Sequence, residues 1–257
     1  MTTWTAFPHP EQHPFDAAGL RAQWAVLHHG DQEPLPSDPR VLDAWVLYHR
    51  GEFQAAALAG DALGLAGAIV ANKARLIYAD YLEPGEKARL DLFMDVAKRC
   101  EALAAQTPNC ANAHYLHGYA LGRYSQGVSV AKALAKGMGA KVKTAFETTL
   151  ALQPEHADAY IALAAFHAEV IDKVGALIGQ LTYGAKRDTA LALFAEGMAR
   201  IPQAAIALTE YGKGLLMLDG DTRLAEAQRL YEEAASVRPM DAMEHLGVAR
   251  VQAELSA

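Results

Sequence analysis

Apolar positions along this chain recur at steps of three and four from about residue 16 to the C-terminus, and no stretch alternates as a half-buried strand would. Four prolines, Pro108, Pro154, Pro202 and Pro239, punctuate the pattern. One template precedes each: a small or apolar residue, an aromatic or bulky one, a small one, then the proline. The copies are Val96, Cys100, Leu103, Pro108; Val142, Phe146, Thr149, Pro154; Ala190, Phe194, Gly197, Pro202; and Ala227, Tyr231, Ala234, Pro239. Steps of four, three and five keep these residues on one helix face. Proline then stops the helix, because it lacks an N–H and clashes with the preceding turn.

A second stripe begins six residues after each of the first three prolines: His114, His117, Gly118, Leu121; Tyr160, Leu163, Ala164, His167; Leu208, Tyr211, Gly212, Leu215. The small third residue lets two helix backbones approach. Each unit is therefore expected to be a helical hairpin. A weaker unit is read over residues 40–68, turning at Gly51-Glu52-Phe53, and another takes Arg75, Tyr78, Ala79 and Leu82 as its first stripe. Upstream, the Pro- and His-rich residues 1–15 read as an irregular arm. Asp16 N-caps a helix to about His29, and Asp38-Pro39 opens the next, running to about Arg50. The chain divides into an arm with a capping helix, 1–37, and a repeat domain, 38–257.

These hairpins resemble the tetratricopeptide (TPR) family, whose unit places A-x3-F and a closing Pro at corresponding positions. The Ala227 copy fits best, and none has the family's Trp. The resemblance implies an all-α protein whose repeats stack in a right-handed superhelix, first helices lining the concave face. The prolines stand 46, 48 and 37 residues apart, against a family repeat of about 34. Two long insertions between first and second helices take up most of the difference, over 122–141 and 168–186, and both end in Gly-Ala-Lys. Such long-hairpin units resemble regulator-of-microtubule-dynamics proteins and the TatT component associated with TRAP transporters.

Half the chain is apolar, which supplies material for an extended core. The net charge of −7 disfavours a general nucleic-acid binder, since phosphate binding needs a clustered positive field. Two cysteines, Cys100 and Cys110, are no disulfide framework and read as reduced thiols. The N-terminus has no basic n-region or apolar h-region, and no run reaches the roughly 18 apolar residues of a membrane span. A cytoplasmic location is the expectation.

Carried over from the resemblance, the groove-facing positions are Asn112, Tyr115, Tyr119 and Arg123, then Asp158, Ile161, Ala165 and Glu169, then Thr209, Lys213 and Leu216. Tyrosines with neighbouring charges suit capture of a protein or peptide segment, since Tyr gives large contact area at low entropic cost; packing against the arm or insertions is the competing reading. The set lacks the two Lys, two Asn and Arg with which chaperone-tail-binding members clamp a carboxylate. Lys132, Lys136, Lys141 and Lys186 lie in the insertions, so a small anion held between the insertions is the alternative ligand. In the second insertion, Val170, Ile171, Val174, Leu177, Ile178 and Leu181 form an apolar stripe over a G-x-x-x-G step at Gly175 and Gly179. This stripe packs across the first insertion or joins two chains as a homodimer. His114 and His117 lack the further ligands of a metal site, and His28-His29 read as surface residues. No nucleophile, phosphate-loop or zinc motif occurs, so no enzyme and no cofactor is expected.

Overall fold

The computed structural model describes residues 4–256, the side chains of residues 134 and 135 excepted; Met1–Thr3 of the expected arm and Ala257 lie outside that range. Helices and turns account for the described residues, with no strand among them. After α1 (Ala17–Leu27) the helices pair antiparallel: α2 (Pro39–His49) with α3 (Phe53–Ala62), and α4 (Ala68–Tyr81) with α5 (Glu86–Gln106). Next come α6 (Ala111–Gln126) with α8 (Met138–Leu152), and α9 (Ala157–Val174) with α11 (Arg187–Arg200). The last pair is α12 (Ala205–Asp219) with α13 (Leu224–Ser236), followed by a single helix α14 (Ala242–Leu255). Each insertion lengthens a first helix and then folds into a short one, α7 (Val130–Ala135) or α10 (Ala176–Tyr183).

The proline-marked template is the inner face of each second helix. Val96, Cys100 and Leu103 are buried in α5, Val142, Phe146 and Thr149 in α8, Ala190, Phe194 and Gly197 in α11, and Ala227 and Ala234 in α13. Burying one such aromatic removes surface worth about 2–3 kcal/mol. The close approach of paired backbones is strict at Gly118: a Cβ there would lie 2.9 Å from Cε1 of Phe146. Caps fix three helix starts. Asp16, Asp38 and Asp241 accept from the backbone N–H of Gly19, Arg40 and Glu244 at 2.6, 2.9 and 2.8 Å. Both cysteines are free thiols.

The last helix does not extend the stack outward. α14 packs back on α2 and α4, and its Ala242 and Leu246 share one buried cluster with Trp45, Tyr48 and Phe53. Arg250 of α14 reaches Asp80 of α4, 3.4 Å from its carboxylate, and also donates to its backbone carbonyl. The arm reinforces this junction. Trp4 stacks on Tyr78 with ring centroids 4.1 Å apart, Phe7 is buried, and His13 Nε2 meets Nδ1 of His245 at 3.2 Å. The arm is thus part of the core rather than a loose leader, because its aromatic side chains find cover between α4 and α14.

Three further expectations are corrected. α1 ends at Leu27, not His29. His28 is buried rather than on the surface, since it turns inward beneath Trp24, 4.0 Å between ring centroids. The apolar stripe of the second insertion is not covered by the first: the insertions meet where Tyr183 lies against Gly139 and Gln126 donates to Glu169, while Leu177 and Leu181 stay 73% and 79% exposed.

Candidate functional site

With α14 returning towards the first hairpin, the concave face forms a half-open central cavity of about 830 Å³. The first helices α4, α6, α9, α12 and α14 wall it, and the turn after α1 closes one side. Leu76, Ile77, Leu116, Phe146, Ile161 and Leu208 make its lining largely apolar, and a smaller number of polar groups converge on it.

The first polar cluster joins the two ends of the chain. Asp31, in the turn after α1, accepts from Nδ1 of His28 at 2.9 Å and pairs with the Lys73 ammonium of α4. Lys73 lies over the rings of Trp45 and Tyr48, 5.7 and 5.6 Å from their centroids. His28 and His49 face each other through Nε2 at 3.2 Å, and His49 Nδ1 donates to Asp241 at 2.7 Å. Each imidazole has its Nδ1 on a carboxylate, and Asp31 also faces the Lys73 ammonium, a buried set that would be costly if any partner were missing. Burial pushes the Asp31 carboxyl upward, but Lys73 and His28 outweigh it and hold it well below the usual carboxylate range. Burial is the largest influence on His49 and lowers it, against Asp241.

Asp158, at the start of α9, lies beside this cluster. Its backbone N–H donates to the carbonyl of Gly30 at 3.1 Å. Its carboxylate rests against Gly30, where a Cβ would come within 2.3 Å of Oδ1. Burial and then the charge of Asp31 push the Asp158 carboxyl up to about 7, with Lys73 pulling the other way. Glu33 is also pushed up to about 7, by burial and Asp31, although Asn112 donates to it at 2.6 Å.

The second cluster sits farther along the wall. Asp80 of α4 accepts from the Tyr119 hydroxyl at 2.6 Å and lies 3.2 Å from Nε of Arg123. Arg123 also approaches Glu210 of α12 at 3.7 Å. Burial would raise the Asp80 carboxyl, but Arg123 and Arg250 outweigh it and lower it.

Of the groove positions carried over in sequence, Tyr115, Tyr119, Arg123, Asp158 and Glu169 line this cavity. Asn112, Thr209 and Lys213 do not. Asn112 is buried between the Asp31 carbonyl, Glu33 and His156. Thr209 bonds back to the Ala205 carbonyl at 2.7 Å within its own helix, and Lys213 is 3.8 Å from Glu254 of α14. The inserted lysines lie elsewhere. Lys132 and Lys136 stand over the Tyr124 ring, Lys141 is 3.8 Å from Glu101, and Lys186 is exposed. None of the four lines the cavity, although Arg123, Gln126 and Gly139 of the first insertion and Glu169 of the second do. His114 and His117 each meet a backbone carbonyl, of Pro108 and Ala97, at 2.9 and 2.8 Å. No cluster suited to a metal ion occurs among the described residues, nor does a helix long and apolar enough to cross a membrane.

Sequence reasoning missed Asp31, Lys73, Glu210 and Asp241. Their only local signal is capping, Asp241 before an apolar run with Glu244 three places on; their convergence depends on how distant segments fold back together.

In structure the chain is similar to a thermophilic TPR protein of Thermus thermophilus, with a TM-score of 0.59 and 15% sequence identity over 84% of this chain and 98% of that one. No family model matches the sequence, and no curated protein is similar to it. At that identity the likeness concerns the fold: this is an all-α, TPR-like stack of helical hairpins.

Proposed function

We propose that the chain is a non-catalytic binding protein that holds a compact organic ligand in the half-open central cavity of a TPR-like stack. The observation that carries this reading is that cavity of about 830 Å³, flanked by α14 where it packs against α2 and α4. That volume falls within the roughly 300–1,000 Å³ of small-ligand sites, and a largely apolar lining with a few convergent polar groups is their usual make-up. The Asp158 carboxyl, raised to about 7 and on the cavity lining, supports a site. The test is native mass spectrometry of protein purified without denaturation, compared with its Tyr115→Ala variant. A retained small molecule, diminished in the variant, is expected. Protein that carries nothing and shows no thermal shift with any member of a broad metabolite set would end this reading.

A protein segment is the second reading, favoured by the general use of TPR-like concave faces. Tyr115 and Tyr119 line the cavity, where an extended or helical segment of a partner would meet them. Capture of a partner that is lost with Tyr115→Ala and Tyr119→Ala at unchanged circular dichroism would favour it.

A further inference from the structure

We propose that the group recognised in this cavity is a protonated amine carried on an apolar body; this rests on the reading of the cavity as a ligand site. The charges on the lining set the sign. Seven carboxyl side chains face four from Lys and Arg. The deep cations are already matched, Lys73 by Asp31 and Arg123 by Asp80 and Glu210. Arg200 is held by Glu155 and Glu196. An anion at any of these three would have to displace a carboxylate; the fourth cation of the lining, Arg238, is exposed.

Asp158 is the opposite case. Among the described residues its carboxylate takes no hydrogen bond and no ion pair, although its backbone is fixed by Gly30 and its side chain lines the cavity. Asp158 is half-buried, and its unmatched carboxylate lines a space large enough for a ligand. Its neighbours complete the recognition. Tyr115 lines the same cavity as Asp158, and its ring packs 6.1 Å from Tyr119 and 5.9 Å from Phe146, centroid to centroid. A carboxylate beside aromatic faces suits an ammonium, which gains from both the charge and the ring quadrupoles. The apolar wall of Leu76, Leu116 and Ile161 would cover the ligand's carbon body. Gly30 matters because any larger residue would push the carboxylate away from its place.

Isothermal titration of the full chain with hexylamine, phenylethylamine, and the carboxylic acids and alcohols of matching length tests this. The amines are expected to bind at least tenfold more tightly than the acids. Asp158→Asn is expected to lose at least tenfold for the amines and little for the alcohols, with its fold checked by circular dichroism. Acids or alcohols binding as well as amines, or unchanged amine affinity in Asp158→Asn, would overturn the cation assignment while leaving the cavity reading intact. Absence of binding by every probe would overturn both.

Discussion

The Asp241 carboxylate at the start of α14 accepts a hydrogen bond from the His49 ring of α2 at 2.7 Å, across 192 residues of chain. The same carboxylate caps its own helix through the Glu244 N–H. Asp241→Ala removes a cap and leaves buried His49 without its partner. We expect a loss of about 3 kcal/mol, read from urea unfolding. Asp241→Asn should cost less, because the amide oxygen can still accept from Glu244.

Asp158 gives a pH signature. Its folded carboxyl titrates at about 7, above the ordinary 3.8. Between those values the folded state holds a proton that the unfolded chain has released, so this group's contribution is full below the lower value and falls as pH rises through the upper one. Asp158→Asn should therefore be more stable than the parent at pH 8, on the order of 2 kcal/mol, and the gap should shrink towards pH 5. His156 works in the opposite sense, since burial lowers it to about 4 and acid then favours the unfolded chain. The difference between variant and parent separates the two. Equal unfolding midpoints at pH 8 would contradict the expectation.

Gly30→Ala places a Cβ where Oδ1 of Asp158 now lies. The carboxylate must move, at a cost of about 1–3 kcal/mol. Gly122→Ala, in the middle of α6, meets nothing within 4 Å and should gain about 0.5–1 kcal/mol from helix propensity. Thermal melts of the two variants should shift in opposite directions.

The exposed stripe on α10 should be nearly silent in stability. Leu177→Ser with Leu181→Ser is expected to stay within about 0.5 kcal/mol per site. Phe194→Ala, in the wholly buried face of α11, should cost about 3–5 kcal/mol. Sedimentation of the Ser variant also reads whether two chains meet through this stripe.

Much of the hairpin architecture could be read from sequence, because it is local. Pro39 after Asp38, the Gly51-Glu52-Phe53 turn and the repeated spacing ending at Pro239 act within a few residues of one another. The long-range junctions could not. His49 with Asp241, Asp80 with Arg250 and Trp4 with Tyr78 are pairings between distant segments, and each residue alone looks like an ordinary surface group or loop aromatic. The same gap explains the site. Tyr115, Tyr119 and Arg123 follow from the resemblance to the repeat family, whereas Asp31 and Lys73 acquire meaning only once the turn after α1 is laid against α4. The two histidines just past α1 diverge, and the sequence alone does not say which is covered; His28 is buried, and His29 is exposed on the cavity lining.

An ordinary solenoid frays, since each terminal repeat has one neighbour and can melt without consulting the rest. Fastening α14 to the first hairpin abolishes that freedom, and loosening at either terminus is felt at once by the other. Truncating the chain before Asp241 should therefore unsettle the arm near Trp4 and Phe7 as much as α13, with hydrogen exchange quickening at both extremities together.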